Sequence, residues 1–147
     1  MEKQNLSLLE LGKMIREVFR VFKKRIDEQT CEEIRISIEQ FSLLRAICSH
    51  EEDVIQKDMA EMMGKDKSAI LRLTDSLEEK ELVRRVVDLK DRRKTYLMVT
   101  KTGYRVIDQY IEIIQELMVE IQQGLTQSEI ETFHKVIDHI KSNVKKL

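Results

Sequence analysis

Residues 84–101 gather Arg84, Arg85, Lys90, Arg92, Arg93, Lys94 and Lys101 against only Asp88 and Asp91. Side chains of this kind, closely spaced and without a nucleophile or acid–base pair among them, recognise anions rather than break bonds. The cations sit in the run LVRRVVDLKDRRKTYLMVTKTG, where Val83, Val86 and Val87 lead into the charged segment and Thr95 to Val99 lead out. β-Branched and aromatic residues on both sides of a polar tip predict a two-stranded hairpin. A hairpin that projects arginines into solvent is suited to probing nucleic acid. Just upstream, Lys67, Ser68, Ala69 and Arg72 occupy early positions of a predicted helix. Lys67 and Arg72 can donate to guanine O6 and N7, Ser68 can bond a base or a phosphate, and Ala69 can lie against a thymine methyl. Gln56, Lys57, Arg84 and Arg85 are weaker candidates for backbone contacts. Arg84 and Arg85 alternate on a strand, so one of them at most should face the ligand.

These groups need elements to hold them. The chain has 147 residues, 36% of them charged, with four Gly and no Pro, a composition expected of long helices with solvated faces. Leu8, Leu11, Ile15, Val18, Phe19, Phe22 and Ile26 recur at helical steps after a capping-box pattern at Ser7. A second capping box at Ser37 opens a shorter helix, marked by Phe41, Leu44, Ile47 and Cys48, that ends near His50. Met59, Ala60 and Met63, then Gly64 for the turn, Asp66 as cap, and Ile70, Leu73 and Leu77 facing inward, form a helix-turn-helix pattern. Thr100 can cap a helix with Val106, Ile107, Tyr110, Ile111, Ile114, Leu117, Met118 and Ile121 on its apolar face. Gly124 breaks that helix, and a capping box at Thr126 opens a last one striped by Ile130, Phe133, Val136, Ile137, Ile140 and Val144.

The formal net charge of −1 argues against an indiscriminate polycation. No stretch approaches the roughly 18–20 apolar residues that span a bilayer, and the N-terminus lacks a signal-peptide pattern, so a cytoplasmic protein without a membrane partner is expected. Cys31 and Cys48 lack C-x-x-C spacing, and His134 and His139 are five apart, off the spacing of two ligands on one helical face. No metal, no cofactor and no enzyme activity is expected.

The combination Lys67-Ser68-Ala69-Ile70, Leu77 to Arg85, Asp88, Asp91-Arg92-Arg93 and Val99-Thr100-Lys101-Thr102-Gly103 resembles the MarR family of winged-helix transcription factors, over nearly the whole chain. Glu81 departs from it, standing where the family usually carries glycine; it must accept a positive φ or re-route the turn. The resemblance implies a mainly α fold with a small two- or three-stranded β-wing. Residues 1–36 would form an N-terminal dimerisation helix, 37–99 the DNA-binding module and 100–147 the C-terminal dimerisation helices. It implies a homodimer on a pseudo-palindromic double-stranded operator, with Lys67, Ser68, Ala69 and Arg72 in the major groove. Asp91 would steady Arg93 for the minor groove, and Lys90, Arg92 and Lys94 would meet phosphates. A repressor relieved by a small, aromatic effector is expected, with Phe19, Phe22, Phe41, Met62 and Tyr110 as apolar candidates for its pocket. Two alternatives stay open: a thiol-based redox sensor using Cys31 or Cys48, and a winged-helix protein-interaction module without specific DNA contact.

Overall fold

The computed structural model describes residues 8–50 and 54–147. Helix α1 runs Leu8–Gln29, and a short 3₁₀ turn at Glu32–Ile34 leads to α2, Ile38–Ser49. Strand β1 (Val54–Ile55) is followed by α3 (Gln56–Met63) and α4 (Lys67–Glu79). Strands β2 (Val83–Val87) and β3 (Thr95–Val99) precede α5 (Lys101–Ile121) and α6 (Gln127–Val144). The arrangement is the winged helix expected from the sequence, with a three-stranded antiparallel sheet in the order β1-β3-β2. Two units divide the chain, residues 1–113 and 114–147.

In the first unit the caps set the helix boundaries. The Ser37 hydroxyl accepts from the Gln40 amide at 3.1 Å while Gln40 Oε1 accepts from the Ser37 amide at 2.7 Å, satisfying two otherwise orphaned donors. The Ser7 box lies outside the described residues. Gly64 ends α3 in the left-handed region, φ 59°, where a side chain would be strained. Leu43, Leu44, Met59, Ile70, Leu77, Leu82, Val83 and Val106 are buried and weld α2, α3, α4, β2 and the start of α5 into one core. Thr74, missed by hydrophobic periodicity, is fully buried as well, because its hydroxyl donates to the Ile70 carbonyl at 2.7 Å and so hides its polarity. Tyr110 is buried and stacked on Phe41 at 5.1 Å. Its hydroxyl accepts from the Ile36 amide and donates to the Ile36 carbonyl, which fixes the entry to α2.

Along α5 the buried residues are Val106, Ile107, Tyr110, Ile113 and Leu117. Ile113 joins this row although the sequence pattern omits it, whereas Met118 and Ile121, expected on the same face, stay exposed.

Glu81 settles its alternatives by accepting a φ of 57°. The turn holds because the Leu82 amide donates to Leu77 O at 2.9 Å and the Thr100 hydroxyl donates to Glu81 O at 2.6 Å. Gly103 explains the small residue in the VTKTG segment: a Cβ there would run into the Leu82 carbonyl oxygen. Left-handed strain on a non-glycine residue costs about 1–2 kcal/mol, and the extra unfolded-chain freedom of glycine offsets about 0.5–1 kcal/mol of any relief. Glu81→Gly is therefore expected to stabilise the fold by about 0.5–1 kcal/mol, read as a higher denaturation midpoint at unchanged m-value; a lower midpoint would contradict the strain argument.

In the second unit, the Thr126 and Glu129 side chains form a reciprocal capping box that opens α6. Four residues of its stripe are exposed, Phe133 at 55%, Val136 at 51%, Ile140 at 44% and Val144 at 62%, while Ile130 and Ile137 are half-buried.

Candidate nucleic-acid interface

The N-terminus of α4 is built by Asp66. Its carboxylate accepts from the Ala69 amide at 2.8 Å and from the Ser68 hydroxyl at 2.5 Å. The Ser68 hydroxyl and then the Ala69 amide hold the Asp66 carboxyl below its ordinary value, so it stays ionised as a cap. Lys67, Ser68, Leu71 and Arg72 are exposed, and Ala69 is half-buried. Ser68 and Arg72 fall on the side of the helix away from buried Ile70, Thr74 and Leu77, while Lys67, one turn before Ile70, lies at the margin of the buried face. Ser68 already spends its proton on Asp66, so toward an outside ligand it offers acceptor capacity first.

The wing is held by the β2–β3 ladder, with Val83 opposite Val99, Arg85 opposite Leu97 and Val87 opposite Thr95. Its tip is organised by two carboxylates. Asp88 accepts from the Lys90 amide at 2.7 Å, the Asp91 amide at 3.0 Å and the Tyr96 hydroxyl at 2.9 Å. Asp91 accepts from the Arg93 amide at 3.1 Å. Asp91 thus steadies the backbone of Arg93, and among the described residues no ion pair joins the two side chains. Lys90, Arg92, Arg93 and Lys94 are all exposed.

The Asp91 and Lys90 amides, then the Tyr96 hydroxyl, hold the Asp88 carboxyl below its ordinary value. A depressed folded-state value means the tip is favoured above the unfolded-state pKa of about 3.9 and loses that contribution as pH falls through the folded value. The amide resonances of Lys90 and Asp91 are expected to titrate together with a midpoint below the usual aspartate range; a midpoint at or above it would contradict this cap.

Arg84 points to solvent, whereas Arg85 turns inward. Arg85 Nε donates to Gln56 Oε1 at 2.9 Å, and its two terminal nitrogens pair with Asp75 and Glu78 of α4. Both Arg85 and Gln56 are therefore committed to tying α3, α4 and β2 together, and Arg84 is the member of the arginine pair left for a ligand. A planar, five-donor guanidinium suits this three-way bracket better than a lysine would. Strand alternation separates Arg84 from Arg85; which of the two turns inward depends on acidic residues ten and seven positions earlier, a pairing that periodicity does not carry.

A cleft of about 290 Å³ lies between the first turns of α3 and α4 and strand β3. It brings Lys57, Lys67 and Arg93 together, above Ala60 and Ile70. Elsewhere, an open groove of about 860 Å³ between α1 and the start of α2 is lined by Phe19, Phe22, Ile26 and Ile36 and by charged residues of both signs, among them Arg16, Arg20, Asp27 and Glu39. Of the apolar pocket candidates, Phe19 and Phe22 line this groove, Phe41 and Tyr110 are core residues, and Met62 is exposed on α3.

Cys31 is exposed and Cys48 half-buried. The Glu33 carboxyl is held below its ordinary value by its own backbone N–H and then by the Cys31 thiol. No helix among the described residues is long and apolar enough to cross a membrane.

A helix-turn-helix with a solvent-facing cationic row, followed by a hairpin with a cationic tip, defines a winged-helix protein of the nucleic-acid-binding class. Residues 36–95, from the entry to α2 to the start of β3, match the sequence model of the MarR family, and that segment is a domain of the MarR type. It is similar to a MarR-family transcriptional regulator from Rhodococcus sp. RHA1, with 25% identity, 93% of this chain and 95% of that one covered, and a TM-score of 0.75. The fold is shared with MepR of S. aureus, solved with DNA, at 20% identity, 95% and 99% coverage and a TM-score of 0.80. It is shared too with CouR of Rhodococcus jostii RHA1, solved with p-coumaroyl-CoA, at 23% identity, 93% and 91% coverage and a TM-score of 0.73.

Proposed function

We propose that this protein is a cytoplasmic homodimeric repressor of a pseudo-palindromic operator, released by a small-molecule effector. The observation that carries the reading is the pair of cationic surfaces within one compact unit: Lys67 and Arg72 on α4, and Lys90, Arg92, Arg93 and Lys94 on the wing, all exposed. Residues 37–99 serve as the DNA-binding module, and 1–36 with 100–147 as the dimerisation region. Lys67, Ser68, Ala69 and Arg72 read the major groove. Arg93 enters the adjacent minor groove from a turn shaped by Asp91, and Lys90, Arg92 and Lys94 hold phosphates. The exposed part of the α6 stripe supports the dimer, since a run of exposed large apolar residues is a liability in a soluble monomer. The groove at α1 supports the effector: its apolar wall of Phe19, Phe22, Ile26 and Ile36, with charged groups of both signs beside it, suits a ligand with an apolar ring and a polar group. Such a ligand acts only through preferring one spacing of the two recognition helices.

Selection of binding sequences from a random duplex library tests the proposal. The expected outcome is a two-fold symmetric consensus whose half-sites lie about 10–10.5 base pairs apart or a multiple of that. Enrichment of nothing, or of an asymmetric single site, would contradict the dimeric operator-binding role.

A further inference from the structure

Apart from the last residue of the chain, Leu89 is the most exposed large apolar side chain among the described residues, at 100%. A lone exposed leucine is ordinary on a protein surface; this one is held out at a fixed place. Asp88 accepts from the Lys90 and Asp91 amides and from the Tyr96 hydroxyl, so Leu89 sits at the crest of a closed turn. The Asp88 amide donates to the Lys94 carbonyl at 3.0 Å, and the Lys94 amide donates to the Asp91 carbonyl at 2.9 Å, which closes a second turn around Arg92 and Arg93. The ladder sets Val83 opposite Val99 and Val87 opposite Thr95, and the same register carried past Asp88 and Lys94 puts Leu89 across from Arg93. Both carboxylates of the tip are half-buried and accept from the tip's own amides, while Lys90, Arg92, Arg93 and Lys94 are exposed.

We propose that Leu89 is an apolar wedge that enters the minor groove beside Arg93 and opens a base step of the operator. The proposal rests on the DNA-binding reading above and deepens it: the cations bring the tip to the duplex, and the leucine makes one base step preferable to another. Unstacking a step is costly, and the cost is recovered by taking the side chain out of water and by the closer contact that a bent duplex allows. Pyrimidine–purine steps such as TA and CA yield most easily, so the wedge selects sequence through deformability rather than through hydrogen bonds to base edges. The two closed turns serve this use, because a leucine on a yielding loop would be pushed aside instead of parting the bases. Arg93 keeps to the narrow A·T side of the opened step, where the potential is most negative.

The test uses the full-length protein as wild type, Leu89→Ala and Leu89→Met, with the operator selected from the random library carrying a donor and an acceptor dye at its two ends. A panel of operators in which each pyrimidine–purine step is changed in turn to AA, and a scrambled duplex, complete it. Wild type is expected to shorten the end-to-end distance on binding and to lose about 10-fold or more in affinity when the step beneath the wing is changed. Leu89→Ala is expected to weaken operator binding about 10-fold or more, to leave the duplex unbent and to bind the whole panel alike, with the slope of log Kobs against log salt unchanged because no charge is lost. Leu89→Met keeps a long apolar side chain and is expected to restore both bend and step preference. The side chain is fully exposed, so the thermal midpoint of both variants stays that of wild type. A Leu89→Ala protein with the bend and step preference of wild type, on an operator that wild type binds in preference to scrambled DNA, overturns the wedge and leaves the DNA-binding reading standing. A wild type that binds operator and scrambled duplex alike overturns both.

Discussion

Arg93→Glu is expected to weaken operator binding by about 100-fold or more while leaving the fold intact. The side chain is exposed at the wing, and what holds the turn is the Arg93 backbone amide donating to Asp91 together with the Asp88 contacts. None of those bonds uses the guanidinium, so far-UV dichroism and the melting midpoint should not move. The binding loss has two sources. Removing an arginine from a groove or phosphate costs about 1–3 kcal/mol, and a carboxylate in its place adds repulsion from the most negative part of the duplex. A dimer suffers both losses twice. If the module instead served only to bind another protein, charge reversal here would leave that binding untouched. Anisotropy on labelled operator gives the answer directly; affinity within a few-fold of wild type would remove Arg93 from the interface.

The second large effect is expected at the opposite end of the chain. Phe133→Asp should convert the proposed dimer to monomer at micromolar concentration. Phe133, Val136, Ile140 and Val144 follow helical steps along α6 and remain between 44% and 62% exposed in the single chain. Burying each such side chain is worth up to about 1.5–3 kcal/mol. An unpaired carboxylate inside the resulting interface is strongly destabilising, by about 3–5 kcal/mol, so the dimer constant should weaken by at least 10²-fold. The helix itself should survive, because its N-terminus is held by the Thr126–Glu129 box rather than by Phe133. Sedimentation equilibrium checks the mass, and a dimer that persists unchanged would place the subunit interface elsewhere. Loss of the dimer should also weaken binding to a two-half-site operator, because each half-site is then met independently.

What the sequence made legible follows the physics of local signals. Ser37, Thr126, Gly64 and Asp66 act within one turn of their own position, and each sits where a cap or turn requires it. The β2–β3 hairpin was equally readable from its β-branched flanks. Strand β1 was not, because Val54–Ile55 has too few residues for any period; it exists through pairing with Leu97 and Tyr96, more than forty residues away. The sequence pattern puts Ile114 on the apolar face of α5 where Ile113 is the buried neighbour, since contiguous isoleucines leave a helical face ambiguous by one position. The same limit governs the interface. Residue type marks Lys67, Arg72, Arg92 and Arg93 as anion binders, but only the fold reveals that Arg85 is occupied internally, that Asp91 serves a backbone amide, and that Lys57 shares a cleft with Lys67.

The most direct test of the central claim is an anisotropy titration of the wild-type protein against duplex DNA from the gene's own upstream region, with scrambled duplex as competitor at about 0.15 M salt. Sequence-specific regulation predicts binding at least 10³-fold tighter to the upstream duplex than to the scrambled one, with affinity falling steeply as salt is raised. Equal affinity for both duplexes would contradict regulation through that region.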